Sequence, residues 1–415
     1  MNHNSSIGAN FLMQPNNNNF SSNSNILTPN SNKYMVYNQY FSINSQDRNI
    51  LKNPDAAEFY VQFPQDYKHI SGISMHSWTF PAAYDTFSKV LDNITLYMKI
   101  TEPYNPSNSG NPNPPTDLEN AIYEGLMSNI DSHYTIEIPA GFYTQPHITN
   151  TLEILFNEAV TTYLTSYIAE YYPTESSNFN GYDQFVITYN QVNQKILFGN
   201  KSSDFELLNK LVFTEYYSNS NTHNYCNDNA MQNITEWGLP SNLGFTPENV
   251  TSMEVENNKL TLIYEGEHTV PWLEPDQNHP GAKISYIEPI YKLNLLGPAF
   301  YYIDIPELNC IDETVPSMTG NNTTNNHGGY VKSAFAKIGV NSIPLAQWYD
   351  ANNQPTRVYN PPRERLNSLT IRVRNQNGSL VRFGNLNYSL MFKITMLVPQ
   401  IERSYDVYTP EAYTI

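Results

Sequence analysis

The chain has 415 residues, 22 Lys plus Arg against 39 Asp plus Glu, and a formal net charge of −17. That balance argues against a surface built for phosphate backbones, which requires clustered basic side chains, and leaves a basic protein partner open. Charged residues are 15% of the chain and aromatics 13%, with 32 Tyr, a composition that suits polar contact surfaces or the strands of a β-rich protein.

Residues 1–33 are dominated by Asn and Ser, with the run Asn16–Asn19. Such a tract cannot bury enough apolar surface to offset the entropy of ordering, so a disordered arm is expected. Phe11, Leu12, Ile26 and Leu27 are its apolar anchors for contact with neighbouring subunits. The start, Met1-Asn-His-Asn-Ser-Ser, lacks the basic and apolar segments of a secretory signal, so folding in a cytosol-like compartment is expected. Residues 34–103 read as an N-terminal β module. A polar turn carries Asp47-Arg48, either a local ion pair or a solvated turn. Glu58-Phe-Tyr-Val-Gln-Phe63 then alternates as a half-buried strand ending at Pro64. A second strand runs on through Ile70, Ile73, Met75 and Trp78, its core candidates, and Asn93–Ile100 is a third. Residues 104–116, rich in Pro, Asn, Ser and Gly, read as a linker loop.

Residues 117–210 form the clearest α+β module. Thr116-Asp-Leu-Glu119 is a capping box opening a helix along Leu118, Ile122, Leu126 and Ile130. Tyr134–Ile138 is a strand that stops at Pro139. A longer helix follows, with Thr144 as N-cap, Pro146 in the first turn and Ile148, Leu152, Leu155, Ala159, Tyr163 and Tyr167 on one face. Asn190-Gln-Val-Asn193 joins two strands as a hairpin. Residues 211–415 read as a C-terminal β-rich domain. Within it, Asn257-Asn258 is expected to turn a hairpin between 252–256 and 260–264. Tyr301–Ile305 is a strand before Pro306, and Ser368–Arg374, the turn Asn375–Gly378, Leu380–Phe383 and a long strand from Tyr388 to Leu397 close the chain.

The chemistry-bearing residues form no motif. His223, Tyr225 and Cys226 are close in sequence but lack a second ligand pair at metal-site spacing. Neither a Gly-rich phosphate loop, a zinc-binding helix nor a serine elbow is present, and no cofactor is expected. Cys226 and Cys310 are expected as free thiols. No run approaches the ~18 apolar residues of a membrane span. Asn93, Asn233, Asn249 and Asn387 head glycosylation-type triplets that arise by chance in an Asn-rich chain. Arg357, Arg363, Arg365, Arg372, Arg374 and Arg382 gather positive charge late in the sequence, either as an interface patch for an acidic neighbour or as the solvent face of strands.

Three blocks carry a resemblance. They are Ser45-Gln-Asp-Arg48 with the strand to Pro64; Ile138-Pro-Ala-Gly-Phe-Tyr143 with the following helix and Phe185–Asn190; and Leu366–Arg374, Asn377-Gly378, Phe383 and Asn387–Phe392. In order and spacing they resemble structural virion proteins of large, or giant, double-stranded DNA viruses. The double jelly roll of a major capsid protein is not traceable, so the resemblance is to minor capsid proteins. It implies a mainly β fold with an inserted α+β unit, a jelly-roll-like β-sandwich and a flexible Asn-rich arm. It also implies a non-enzymatic role in capsid assembly, with location in the virion after synthesis in host cytoplasm or virus factory. The implied partners are the major capsid protein and other minor capsid proteins, with a homo-oligomer open and no direct nucleic acid contact. Asp47, Arg48, Arg363 and Arg365 join the arm's anchors as interface candidates. A receptor-binding or fibre-associated surface protein and a virion glycan-processing enzyme, the latter needing two carboxylates in a cleft, are the alternatives.

Overall fold

Strands from the two ends of the chain pair with each other. The computed structural model describes residues 34–82, 84–107, 114–219, 237–255, 259–264, 268–312, 331, 333–340, 346–350, 354–376 and 378–399. The expected turn at Asn257-Asn258, the His223–Cys226 group and the arm anchors Phe11, Leu12, Ile26 and Leu27 lie outside them. The chain divides into two compact units, residues 1–84 with 298–415, and residues 85–297. It is mainly β with an inserted α+β unit, in agreement with the sequence reading. Strands from 34–81 and from 300–399 form one sheet, so the modules expected at 34–103 and 211–415 share it, while Thr95–Glu102 and the strands from Val250 to Ile287 belong to the second unit.

The first unit starts with β1 (Tyr34–Asn44) and β2 (Glu58–Pro81). The second holds β3 (Thr95–Glu102), α1 (Asp117–Ser128), β4 (Tyr134–Glu137), α2 (Gln145–Tyr171), β5 (Phe185–Asn190), β6 (Lys195–Asn200), β7 (Asp204–Leu207), α3 (Asn209–Asn219) and α4 (Leu239–Asn242). It ends with β8 (Val250–Thr251), β9 (Met253–Glu254), β10 (Leu260–Tyr264), β11 (His268–Leu273) and β12 (Ser285–Ile287). The first unit resumes with β13 (Phe300–Asp304), β14 (Ile311–Asp312), β15 (Ser333–Ala334), β16 (Ala336–Gly339), β17 (Gln347–Asp350), β18 (Thr356–Arg374) and β19 (Ser389–Pro399).

In the first unit a curled antiparallel sheet has the order β1-β19-β2-β18-β13-β16, with β17 beside the end of β2. Its core is formed by Phe59, Ile70, Ile73, Met75, Trp78 and Phe80 of β2 against Leu369, Ile371 and Val373 of β18 and Leu390, Phe392 and Ile394 of β19. Burying each of these large apolar side chains contributes about 1.5–3 kcal/mol. Ile70, Ile73, Met75 and Trp78 are buried as predicted. Pro64 does not end its strand. The β2–β18 ladder shifts register between the pairs Ser368↔Gln62 and Leu366↔Tyr67, and Pro64 sits in that irregular stretch, where a missing amide hydrogen is tolerated.

In the second unit, β4-β3-β7-β8 and β5-β6-β12-β9 form two four-stranded sheets, and α1 and α2 share a core with them. The capping box forms as read: the Glu119 amide donates to Thr116 Oγ1 at 3.2 Å and the Thr116 amide to Glu119 Oε2 at 2.7 Å. Helix α2 is turned from its expected face. After Leu152 its fully buried positions are Phe156, Val160, Leu164 and Ile168, with Leu155, Ala159 and Tyr163 flanking them. The stripe without polar atoms takes the centre, and the tyrosines keep their hydroxyls near water.

Two further expectations are corrected. The chain after Leu208 is helical through α3, not β. Asn209 anchors its start by donating to the Thr246 and Glu248 carbonyls at 3.3 and 3.2 Å, and Val212 and Phe213 pack on Trp237. Strand β10 pairs with β11, and β9 with β12, so among the described residues 252–255 and 260–264 do not pair as a hairpin.

Candidate functional site

The first resemblance block is fixed to the third by a hydrogen-bonded junction. Ser45–Asp47 is a single 3-10 turn after β1 that carries the chain away from the sheet. Ser45 is fully buried. Its amide donates to the Tyr388 carbonyl at 2.9 Å, and its hydroxyl accepts from the Tyr388 amide at 2.9 Å and donates to Asn387 Oδ1 at 3.1 Å. Arg48 completes the junction. Its Nη1 donates to the Ser45 carbonyl at 2.8 Å and to Asn387 Oδ1 at 3.1 Å, Nε to the Asn53 carbonyl at 3.2 Å, and Nη2 to the Pro54 carbonyl at 3.2 Å. A planar guanidinium suits this task because its donors diverge in fixed directions. Asp47 stands apart from the junction: it is exposed and accepts from Asn44 Nδ2 at 3.3 Å. Arg48 is thus held by carbonyls and an amide side chain, and the local Asp47–Arg48 ion pair does not form.

The arginines near the C-terminal block are also engaged within the first unit. Arg363 donates to the Glu307 carbonyl at 3.0 Å and, through Nε, to the Arg365 carbonyl at 3.1 Å. Arg365 pairs with Asp66 at 2.7 Å on an exposed surface. Arg372 meets Glu58 at 2.6 Å and Arg374 meets Asp304 at 3.0 Å, while Ile371 and Val373, which alternate with them, are fully buried. Arg372 and Arg374 thus lie half-exposed on the face of β18 opposite those side chains. Exposed pairs such as Arg365–Asp66 contribute about 0–1 kcal/mol, so they fix little by themselves. Of the described interface candidates, Asp47 and Arg365 present their side chains outward, while Arg48 and Arg363 point into the chain's own contacts. Asn387, which joins the Ser45 and Arg48 side chains, was missed as a site residue: in an Asn-rich sequence nothing local distinguishes it.

The second unit contains a cavity of about 170 Å³ lined by Asp183, Gln184, Asp276 and His279 among the aromatic side chains Tyr104, Tyr123, Phe179 and Tyr182. Gln184 Nε2 bridges the carboxylates, donating to Asp183 Oδ1 at 2.7 Å and Asp276 Oδ2 at 2.8 Å, and His279 Nδ1 lies 2.6 Å from Asp276 Oδ2. Burial pushes the Asp276 carboxyl up. The Asn278 amide, Gln184 and His279 outweigh it and leave the group below its ordinary value. Burial pushes the Tyr182 phenol up to about 12, keeping it neutral beside Asn200. The arrangement can accept hydrogen bonds. Of the two carboxyls that a glycosidase pair needs, one protonated and one ionised, the lowered Asp276 does not fit the protonated one. Among the described residues, no group of three or more His, Cys, Asp or Glu could hold a metal, and no helix is long and apolar enough to cross a membrane.

The depressed Asp276 gives a pH prediction. A lowered folded-state value adds stability that is present above the unfolded carboxylate's pKa and is lost as pH falls through the folded one. Asp276→Asn should be less stable than the parent at neutral pH, and the gap should narrow on acidification below the ordinary aspartate range. Thermal melts across pH give the gap directly; a gap independent of pH would refute the linkage.

No protein-family model and no curated protein matches the chain. Among solved structures it is similar to the mavirus penton protein, at 9% identity over 88% of this chain and 100% of that one, with a TM-score of 0.32. It is also similar to a chain from the structure of the Sputnik virophage, at 12% identity over 88% of this chain and 98% of that one, with a TM-score of 0.28.

Proposed function

We propose that the chain is a non-enzymatic structural component of a large DNA virus particle, a minor capsid protein that contacts other shell proteins. The observation that carries this reading is the junction of Ser45, Arg48 and Asn387: two blocks that resemble virion proteins lie 339 positions apart at Arg48 and Asn387 yet are bonded to each other. The resemblance thus coincides with the part of the chain that closes its main sheet, as expected if it marks a shared scaffold. In this reading the first unit is a jelly-roll-like sandwich. Residues 1–33 are an arm that reaches neighbouring subunits through Phe11, Leu12, Ile26 and Leu27. Asp47 and Arg365 offer surface charge to the major capsid protein or other minor ones.

Quantitative mass spectrometry of gradient-purified particles tests the proposal. The chain should be present at a fixed ratio to the major capsid protein, well below parity, and deletion of residues 1–33 should lower its incorporation without unfolding it. Abundance in infected cells with absence from particles would refute the virion role. Normal incorporation of the truncated chain would refute the arm alone.

A further inference from the structure

The two ends of the main sheet are built differently. At one end β16 is four residues long and carries Lys337, whose Nζ lies 3.8 Å from the centre of the Phe300 ring. A short edge strand with a lysine is a common protection against further strand pairing. At the other end β1 is eleven residues long and pairs with β19 from Tyr34↔Pro399 to Asn44↔Ser389 with no register shift. Among the described residues its outer edge has no strand beside it. Its sequence, Tyr-Met-Val-Tyr-Asn-Gln-Tyr-Phe-Ser-Ile-Asn, holds no charged residue, no Gly and no Pro. At ~3.4 Å per residue the open edge is ~37 Å long, with its unpaired amides and carbonyls in a continuous row.

The inner face of this edge is also incomplete. Side chains alternate along a strand, so Tyr37 shares a side with Phe41 and Ile43. Ile43 is buried, and the Phe41 ring packs on Phe63, Tyr67 and Phe392 at centroid distances of 4.9, 6.0 and 5.1 Å. Tyr37, on the same side, is 52% exposed. Among the described residues, the core-facing side of the sheet therefore continues past its cover.

We infer that β1 pairs antiparallel with β1 of a second copy of this chain, about a two-fold axis at Gln39. The charge pattern selects this occupant. On a chain of net charge −17, most surfaces of two copies repel each other, but an uncharged strand meeting itself buries no ion and opposes no like charges. The register brings Tyr37 opposite Phe41 of the second copy and completes the inner face with an aromatic pair. On the outer face it brings Asn38 opposite Tyr40 and Tyr34 opposite Asn44. An isologous contact of this kind closes at two copies and leaves no new edge. The inference does not depend on whether the chain enters a particle.

Sedimentation of the full chain tests it. The parent should show a concentration-dependent dimer. Asn38→Glu with Tyr40→Glu places like charges opposite one another in the pair, and so does Asn38→Lys with Tyr40→Lys; both positions are exposed, but Asn38 accepts from Thr395 Oγ1 and Tyr40 lies across from Lys393, so circular dichroism and a thermal melt must show each variant folded before its dimerisation is read. Each double variant alone should dimerise roughly tenfold to a hundredfold more weakly, and an equimolar mixture of the two should recover the dimer. A monomeric parent overturns the inference. So does a dimer that both variants retain, which would place the contact elsewhere. Loss of the dimer on deleting residues 1–33 would make the tail the occupant of the edge and overturns it as well.

Discussion

Phe80→Ala should destabilise the first unit by about 3–5 kcal/mol, the usual cost of removing a fully buried phenyl ring and leaving a cavity. Phe80 is fully buried near the end of β2. Its ring stacks on Tyr388 at 5.0 Å and 25°, and lies 6.1 Å from Phe383 and 6.4 Å from Tyr301. Those rings come from the segment before β19 and from β13, so one side chain joins three distant stretches of sequence. With domains stable by about 5–15 kcal/mol, the loss is a large fraction of the total. The denaturant midpoint of the first unit should fall with little change in slope. Hydrogen exchange should rise across residues 70–82 and 383–394. Phe80→Leu, which keeps much of the volume, should cost less than half as much. An unchanged midpoint in the alanine variant would mean that the ring cluster does not hold these strands together.

What was legible in the sequence was local. The capping box at Thr116 and Glu119, the β5–β6 hairpin and the turn before Gly378 each depend on residues a few positions apart. At that last turn the Gly378 amide donates to the Asn375 carbonyl at 3.0 Å and the backbone has φ +79. Alternation in 58–63 and 368–374 also identified strands. It could not say that they pair with each other, as Ser368↔Gln62 and Ile371↔Phe59 do. The nested order of the two units depends on such pairs, across more than 300 residues, and no local pattern encodes them. Helix α3 was read as β because Leu211, Val212 and Phe213 in succession fit either structure. What decides is tertiary: Asn209 bonded to the 246–248 turn and Trp237 as a packing surface. At the candidate site, Ser45 to Arg48 stood out in the sequence but its role did not. A polar turn with a charged pair suggests a surface feature, while the structure turns the arginine onto carbonyls and onto Asn387.

That inward orientation leads to the second large effect. Arg48→Ala leaves the Ser45, Asn53 and Pro54 carbonyls and Asn387 Oδ1 without the guanidinium donors they share. Hydrogen bonds to a charged group contribute about 1.5–3 kcal/mol each, and only part of this site is buried, so a net loss of about 2–4 kcal/mol is expected. Arg48→Lys should recover only part of the loss, since an ammonium's three donors sit on one nitrogen and cannot span the acceptors that Nε, Nη1 and Nη2 reach separately. Ser45→Ala removes the buried acceptor of the Tyr388 amide, and leaving that donor unsatisfied should cost about 1–3 kcal/mol. The decisive measurement is the cycle of Arg48→Ala, Asn387→Ala and the double variant. If the junction acts as one network, the two losses should fall short of additivity by about 0.5–3 kcal/mol, because either change already breaks the shared contact. Simple additivity would show that Arg48 serves only its own turn. In that case the co-occurrence of the two blocks would need another cause, such as a common partner. A coupled result would mean that the motif marks closure of the sheet. Under the proposed virion role, any failure of Arg48 variants to enter particles should then scale with their loss of stability, whereas Asp47 and Arg365 variants should alter incorporation at unchanged stability.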